Sequence, residues 1–322
     1  MQVNKWFENL IDNTLFLSHT RIGYILRRRK WVGTDTKVDL RGKMCMVTGA
    51  CTGLGLAAAE GLAERGATVT MLTRDRDIGL YAQAAVIART GNPNVFLEPV
   101  DLSNIAEIRQ FAAQFQENES WLDVLINSEE VLLDQRQVSV DGIEMTFAYN
   151  VLGPFLLTEL LLPMMKHSAP SRVIFVSSSN IYNQKLDVQD LQYEHRAFER
   201  VGAYEQAKRA QIILTELWAE RLVGTGVTIN AMHPGWVKTG MHKELLPNYK
   251  RWLSPFLRTP DQGADTILWL AVAPRLATRS GKFFFDRLER PTHKTERTRL
   301  SLQERRLLWE TCVQLSGLTE TG

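Results

Sequence analysis

Tyr204 and Lys208 stand four residues apart in Tyr204-Glu205-Gln206-Ala207-Lys208. The surrounding segment is strongly helical in composition, so the two side chains fall on one helix face, a turn apart. A free phenol titrates at about pH 10, too high for proton transfer near neutrality, and a neighbouring ammonium favours the phenolate and draws that value down. Such a pair can pass a proton to or from an oxygen atom. A second chemistry is written into Thr48-Gly49-Ala50-Cys51-Thr52-Gly53-Leu54-Gly55. Glycines between an apolar run and a helical stretch let the backbone bend sharply, and the unpaired N–H groups of a helix start attract phosphate. That is the arrangement that holds a dinucleotide pyrophosphate. The second predicted strand ends in Thr73-Arg74-Asp75. An acid there bonds the ribose 2′-hydroxyl of NAD, whereas an arginine pairs with the 2′-phosphate of NADP. Arg74 points to NADP over NAD, with Asp75 and Asp77 close enough to contest the assignment.

These groups need a scaffold. From Met44 onward short apolar runs alternate with longer segments of helical period, the pattern of a parallel sheet wrapped by helices. Strands are predicted at 44–48, 68–73, 95–100, 124–127, 172–177, 227–233 and 282–285. The expected class is α/β, a Rossmann-type doubly wound, mostly parallel seven-stranded sheet with helices on both faces. The first helix of this unit is expected to open near Gly55 and to end at Gly66, with small apolar residues toward the sheet. Thr259-Pro260-Asp261-Gln262 and Ser301-Leu302-Gln303-Glu304 both read as capped helix starts. The second introduces a terminal helix with Leu308, Trp309 and Cys312 near one side, either a lid or a packing element. The expected division is an N-terminal extension over 1–40, one α/β domain over 41–290 and a helical tail over 291–322.

Composition bounds the remaining choices. An apolar share of 44% and a charged share of 23% fit a globular chain and exclude wholesale disorder or a fibrous repeat. Cys45, Cys51 and Cys312 are odd in number and lack metal-like spacing, which argues against a disulfide framework or a metal site and for a reducing, cytoplasmic setting. The net charge of +2 is unevenly spread, both ends being basic and the middle acidic, and no nucleic-acid recognition motif accompanies it. Within residues 1–30, Trp6, Phe7, Leu10, Ile11, Ile22, Tyr24 and Ile25 precede Arg27-Arg28-Arg29-Lys30. This is either an amphipathic helix in contact with an intracellular membrane surface or a helix packed on the domain. No uninterrupted apolar stretch reaches the ~20 residues that span a bilayer.

Six separated features follow one another in a fixed order: the glycine turn, Asp101-Leu102 after the third strand, Asn150-Val151-Leu152-Gly153, the serines after the fifth strand, Tyr204 with Lys208, and His233-Pro234-Gly235. In that order the chain resembles the short-chain dehydrogenase/reductase family over about residues 40–290. A finer likeness within the family lies in the aromatic N-terminal extension and in residues 232–236, 262–266 and 280–284. The resemblance implies that Tyr204 is the general acid or base, that Lys208 activates it and meets the nicotinamide ribose, and that Asn150 supports a proton-relay water. It assigns Ser178 to the substrate oxygen, with Ser177 and Ser179 each one step away. It further implies that Thr48, Gly49, Gly53, Leu54, Gly55, Arg74, Asp101, Leu102, Asn127, Pro234, Gly235 and Thr239 contact the cofactor, Thr239 at the nicotinamide carboxamide. The implied reaction is hydride transfer between NADP and a carbonyl or alcohol compound, with reduction the favoured direction. The partners are a small molecule, lipid-like if residues 1–30 sit on a membrane, and a second copy of the chain.

One segment departs from the family pattern. Where Asn-Asn-Ala-Gly is usual, this chain has Asn127-Ser128-Glu129-Glu130. Two carboxylates beside an anionic cofactor must point outward, be neutralised or weaken its binding. The alternative expectation is therefore a noncatalytic cofactor-binding or scaffold protein of the same fold.

Overall fold

The computed structural model describes residues 14–239 and 251–319. Trp6, Phe7, Leu10 and Ile11 of the expected amphipathic segment lie outside the described residues. Two short helices open the described chain, α1 (Leu15–His19) and α2 (Arg21–Arg28). Strand and helix then alternate: β1 (Met44–Thr48), α3 (Gly53–Ala63), β2 (Thr68–Thr73), α4 (Arg76–Thr90), β3 (Val95–Pro99), α5 (Ile105–Asn118) and β4 (Val124–Asn127). A π-helical turn, Ala148–Leu152, leads into α6 (Gly153–His167), followed by β5 (Ser171–Val176), α7 (Arg200–Arg221), β6 (Val227–Met232), α8 (Pro260–Val272), β7 (Lys282–Phe285), β8 (Leu288–Arg290) and α9 (Leu302–Ser316).

The sheet order is β3-β2-β1-β4-β5-β6-β7-β8. Strands β1 to β7 run parallel, and β1 pairs with β2 on one side and β4 on the other. Strands are added outward on one side from β1 to β3 and on the other from β4 onward, and the crevice at the carboxyl ends of β1 and β4, where that order switches, is where such sheets take ligands. The expected seven strands are present, but the count is corrected to eight. Asp286 and Arg287 adopt left-handed backbone angles, φ 50° and 59°, and fold β8 back antiparallel onto β7. Residues other than glycine or asparagine are uncommon in that conformation, so the Phe285-Asp286-Arg287-Leu288 segment carried no hairpin signal. Strands β3, β5 and β6 each end one residue before the expected limit, β5 also starts one residue early, and α3 starts at Gly53, two residues earlier than expected, and ends at Ala63, ahead of Gly66.

Each face of the sheet carries its own core. Small residues of α3, among them Ala57, Ala58 and Gly61, let α8 approach closely, with Leu268 seated on Gly61. On the other face α5, α6 and α7 bury Phe111, Phe155, Phe175 and Trp218. The segment Met145–His167 is long and apolar enough to cross a membrane, yet most of it lies inside this core. Helix α9 is a packing element: Trp309 sits 5.1 Å from Phe155 and 5.7 Å from Trp218, and Leu308 and Cys312 are fully buried. Both expected helix starts form reciprocal capping boxes, Thr259 with Gln262 and Ser301 with Glu304. Ser301→Ala removes one acceptor for the orphan N–H groups of α9 and should lower stability by about 1 kcal/mol in a urea titration.

Helices α1 and α2 pack on the domain. Arg27, 1% exposed, donates to Ser18 and to Asp286 Oδ2 at 2.8 Å. Arg258, equally buried, donates to both Asp286 oxygens, at 2.5 and 2.8 Å, and to the carbonyls of Ser18, His19 and Pro234. The Trp236 amide completes the junction on the His19 carbonyl at 2.8 Å. One carboxylate at the β7–β8 turn thus ties the N-terminal helices to the loop after β6. For residues 14–28 the packed alternative is the one the fold adopts.

Candidate active site

The turn after β1 has the backbone a phosphate site requires. Gly49 and Gly53 have positive φ, 63° and 56°. A Cβ on Gly55 would lie 2.2 Å from the Gly49 carbonyl oxygen, so only glycine closes this strand-to-helix step. Thr52 caps α3 without a side-chain bond to the helix, leaving first-turn donors for a ligand. Thr239 sits over the turn, its methyl 3.2 Å from where a Gly53 Cβ would be. The Thr48 side chain turns toward the loop after β4, where its Oγ accepts from the amides of Ser128 and Glu129, both at 3.0 Å.

Asp75 caps α4 by accepting from the Ile78 amide, which occupies the carboxylate that contested the assignment at the end of β2. Arg74 is exposed and lies 5.7 Å from the Tyr149 ring. Asp101 accepts from the Ser103 amide and hydroxyl in a local turn, and the Leu102 carbonyl packs where Gly153 lacks a side chain. Asn127 is buried at the end of β4, its amide donating to Thr158.

Around the carboxyl ends of β5 and β6, Leu54, Glu130, Ser178, Tyr204, Pro234, Gly235, Trp236 and Thr239 are among the residues that line a cavity of about 240 Å³. Helix α7 delivers Tyr204 and Lys208 on one face, as their spacing requires. Ser178 lines the same cavity as Tyr204, close enough to draw the phenol's value down, and its hydroxyl accepts from the Asn180 amide at 3.2 Å. Ser177 is instead buried and donates to the Lys208 carbonyl at 3.0 Å, which distinguishes the two neighbouring serines. The Lys208 ammonium donates to the Val176 carbonyl at 2.9 Å.

The two carboxylates do not point outward. Glu130 Oε2 accepts from the Tyr204 hydroxyl at 2.9 Å and lies 3.0 Å from Lys208 Nζ. Glu129 accepts from the Tyr149 hydroxyl at 2.6 Å, and its Oε2 is 2.9 Å from where a Gly49 Cβ would be. Burial pushes the Glu129 carboxyl up, against the opposing pull of Tyr149 and Arg74. Burial, then Glu130, holds the Tyr204 phenol well above its ordinary value, the reverse of what an isolated ammonium neighbour would do. His233 is driven well below its ordinary value by burial and by His19 and the nearby arginines, so it lines the cavity as a neutral ring.

Asn150 is fully buried in the π-helical turn ahead of α6. Its side chain clamps the Val131 main chain, accepting from the amide at 2.8 Å and donating to the carbonyl at 2.9 Å, while its own carbonyl accepts from Gln211. It therefore anchors the segment that carries Glu129 and Glu130. Tyr149 and Gln211, which complete this arrangement, had no sequence signal, since their partners are brought to them only by packing.

Fold and site together define a Rossmann-type α/β protein with a tyrosine–lysine centre beside a glycine-rich phosphate turn. The chain belongs to the short chain dehydrogenase family, whose sequence profile matches residues 43–250. It is 40% identical over 276 residues to Dehydrogenase/reductase SDR family member 12 of Bos taurus, covering 85% of this chain and 86% of that protein. This is the relative to which the N-terminal aromatics and residues 232–236 and 280–284 point. Retinol dehydrogenase 12 of Homo sapiens is 40% identical over 285 residues, 88% of this chain and 89% of the relative. Among solved structures, an uncharacterized protein from Mycobacterium Paratuberculosis superposes with a TM-score of 0.70 at 29% identity, covering 89% of this chain and 98% of the other. The Pseudomonas aeruginosa RhlG/NADP active-site complex does so with a TM-score of 0.62 at 25% identity, over 78% and 96%.

Proposed function

We propose that this protein is an NADP(H)-dependent oxidoreductase that interconverts an apolar carbonyl compound and its alcohol, with Tyr204 as the acid/base group. The observation that carries this reading is the meeting of Ser178 and Tyr204 at one cavity beside the glycine turn, with the buried Lys208 on the same helix 3.0 Å from Glu130 of the cavity wall. When bound, the reduced nicotinamide supplies a hydride to the carbonyl carbon, and the oxygen takes its proton from the Tyr204 hydroxyl. Ser178 holds the substrate oxygen, and the neutral phenol is the form that can donate, so the site favours reduction. Gly49, Gly53 and Gly55 give the turn the backbone conformation that a pyrophosphate site requires, and Arg74 stands free of a capping role, ready for the 2′-phosphate. The relatives named as retinol dehydrogenases and the apolar walls from Leu54, Val176, Trp236 and Val237 support a retinoid-like or other lipid-like substrate. Contact with an intracellular membrane surface belongs to the same reading; since residues 14–28 pack on the domain, it falls to the part of the 1–30 segment ahead of them, and co-sedimentation of the full chain with liposomes tests it.

The test is a fluorescence titration of the full chain with NADPH and NADH, followed by a reductase assay with retinaldehyde, steroid ketones and fatty aldehydes. Arg74→Ala should weaken NADPH binding roughly 10- to 100-fold, the cost of one charge-assisted contact, while NADH binding barely changes. Equal loss for both nucleotides would remove Arg74 from cofactor selection. A second reading, a noncatalytic member of the fold, is favoured by the Glu129 carboxylate against Gly49 and by Glu130 on Lys208. Failure of the chain to bind either nucleotide at millimolar concentration would establish it.

A further inference from the structure

We propose that Glu130 is a third working member of the Tyr204–Lys208 centre: its carboxylate takes up both the charge of the ammonium and the hydrogen of the phenol, so that Tyr204 stands as a proton donor and not as a phenolate. The inference deepens the proposed oxidoreductase reading, because the protonation of Tyr204 matters to turnover only if Tyr204 is the acid/base group.

A single oxygen serves both partners, Glu130 Oε2 lying 2.9 Å from Tyr204 Oη and 3.0 Å from Lys208 Nζ. The contact is built in, since the segment that bears Glu130 is fastened on both sides. Thr48 accepts from the two preceding amides, Ser128 and Glu129, and Asn150 clamps the Val131 main chain. Lys208 is fully buried and fixed from behind by the Val176 carbonyl, whereas the Glu130 side chain is 22% exposed and can exchange with solvent.

The physical consequence follows from the sum of charges. An ammonium alone beside a phenol stabilises the phenolate. A carboxylate on the same two atoms cancels that field and accepts the phenol hydrogen, so burial decides and the neutral phenol wins. The other groups facing this centre do not supply a compensating positive charge. Ser178 is neutral, His233 at the end of β6 is an uncharged ring, and Glu129 is turned to the Tyr149 hydroxyl, on the side where Arg74 lies. Phenol burial and Glu130 act in the same direction on Tyr204.

The test reads the tyrosine directly, in the full chain without nucleotide. With ¹³Cζ-tyrosine labelling, the Tyr204 signal is the resonance absent from Tyr204→Phe, and it is followed against pH in the wild type, Glu130→Gln and Glu130→Ala. Wild-type Tyr204 should stay protonated up to alkaline unfolding, whereas in both variants the freed ammonium should bring its ionisation down by about 1–3 pH units. Circular dichroism identifies which variants are folded, and either variant suffices. Tyr204 ionising over the same range with and without the carboxylate would overturn the inference. Where turnover is measurable, the reduction rate, which needs the phenol, should fall off at lower pH in Glu130→Gln than in wild type, and the oxidation rate should rise at lower pH. NADPH binding is scored separately. A chain that binds no nucleotide refutes the oxidoreductase reading, while the tyrosine titration still decides the action of Glu130.

Discussion

Replacing Asp286 by alanine should lower the unfolding free energy by about 3–5 kcal/mol, because it strands two buried guanidinium groups without their counter-charge. Arg27 and Arg258 are each about 1% exposed and both converge on this carboxylate. Burial by itself would raise the Asp286 carboxyl, but Arg258 and then Arg27 outweigh it and hold it below the ordinary carboxylate range. The sign of the pH effect follows. A group depressed in the folded state contributes its full stability above its unfolded value and loses it as the pH falls through the folded one. The gap between wild type and variant in urea titrations should thus be widest at neutral pH and should close in strong acid. The local consequence is as specific as the global one: amide exchange should rise at Trp236, which bonds to His19, and across α2. A loss of less than 1 kcal/mol, or unchanged exchange in α2, would show that the N-terminal helices are not held by this carboxylate.

Tyr204→Phe should reduce turnover by roughly 10²- to 10⁴-fold, the range supplied by a positioned proton donor, while NADPH affinity stays near the wild-type value. The substitution removes one oxygen from a residue that is 3% exposed and keeps the ring that packs against α7's surroundings. Glu130 retains its ion pair with Lys208, so no charge is orphaned and the fold should persist. The loss belongs to kcat, with KM little moved, because the proton transfer is made only on the way to the transition state. Undiminished reduction of a carbonyl substrate by the phenylalanine variant would remove Tyr204 from the chemistry. A variant that also fails to bind NADPH would assign the hydroxyl to cofactor binding instead.

Much of this arrangement is carried by interactions between residues close together along the chain. The strand-turn-helix step at Gly49–Gly55, the one-face spacing of Tyr204 and Lys208, and the capping boxes at Thr259 and Ser301 are all local, and each reads correctly from residue type and spacing. The order of apolar runs likewise specifies a doubly wound sheet, because parallel strands and their crossover helices leave distinct periods.

Contacts between distant residues were settled by folding alone. Glu130 is 74 positions from Tyr204, and nothing in Ser128-Glu129-Glu130 tells whether its carboxylates face water, a phosphate or an ammonium. That the Ser177 hydroxyl turns to the Lys208 carbonyl, 31 positions away, and that the Asn150 side chain closes on the Val131 main chain, 19 positions away, were likewise decided only as the chain packed. Arg27 and Asp286, 259 positions apart, look like ordinary surface charges until the sheet and the loop after β6 enclose them. The physical reason is common to all of these. Local propensity acts through neighbours a few residues away, whereas the partner of a buried charge is chosen by the whole packed interior, where leaving that charge alone costs more than any local preference can return.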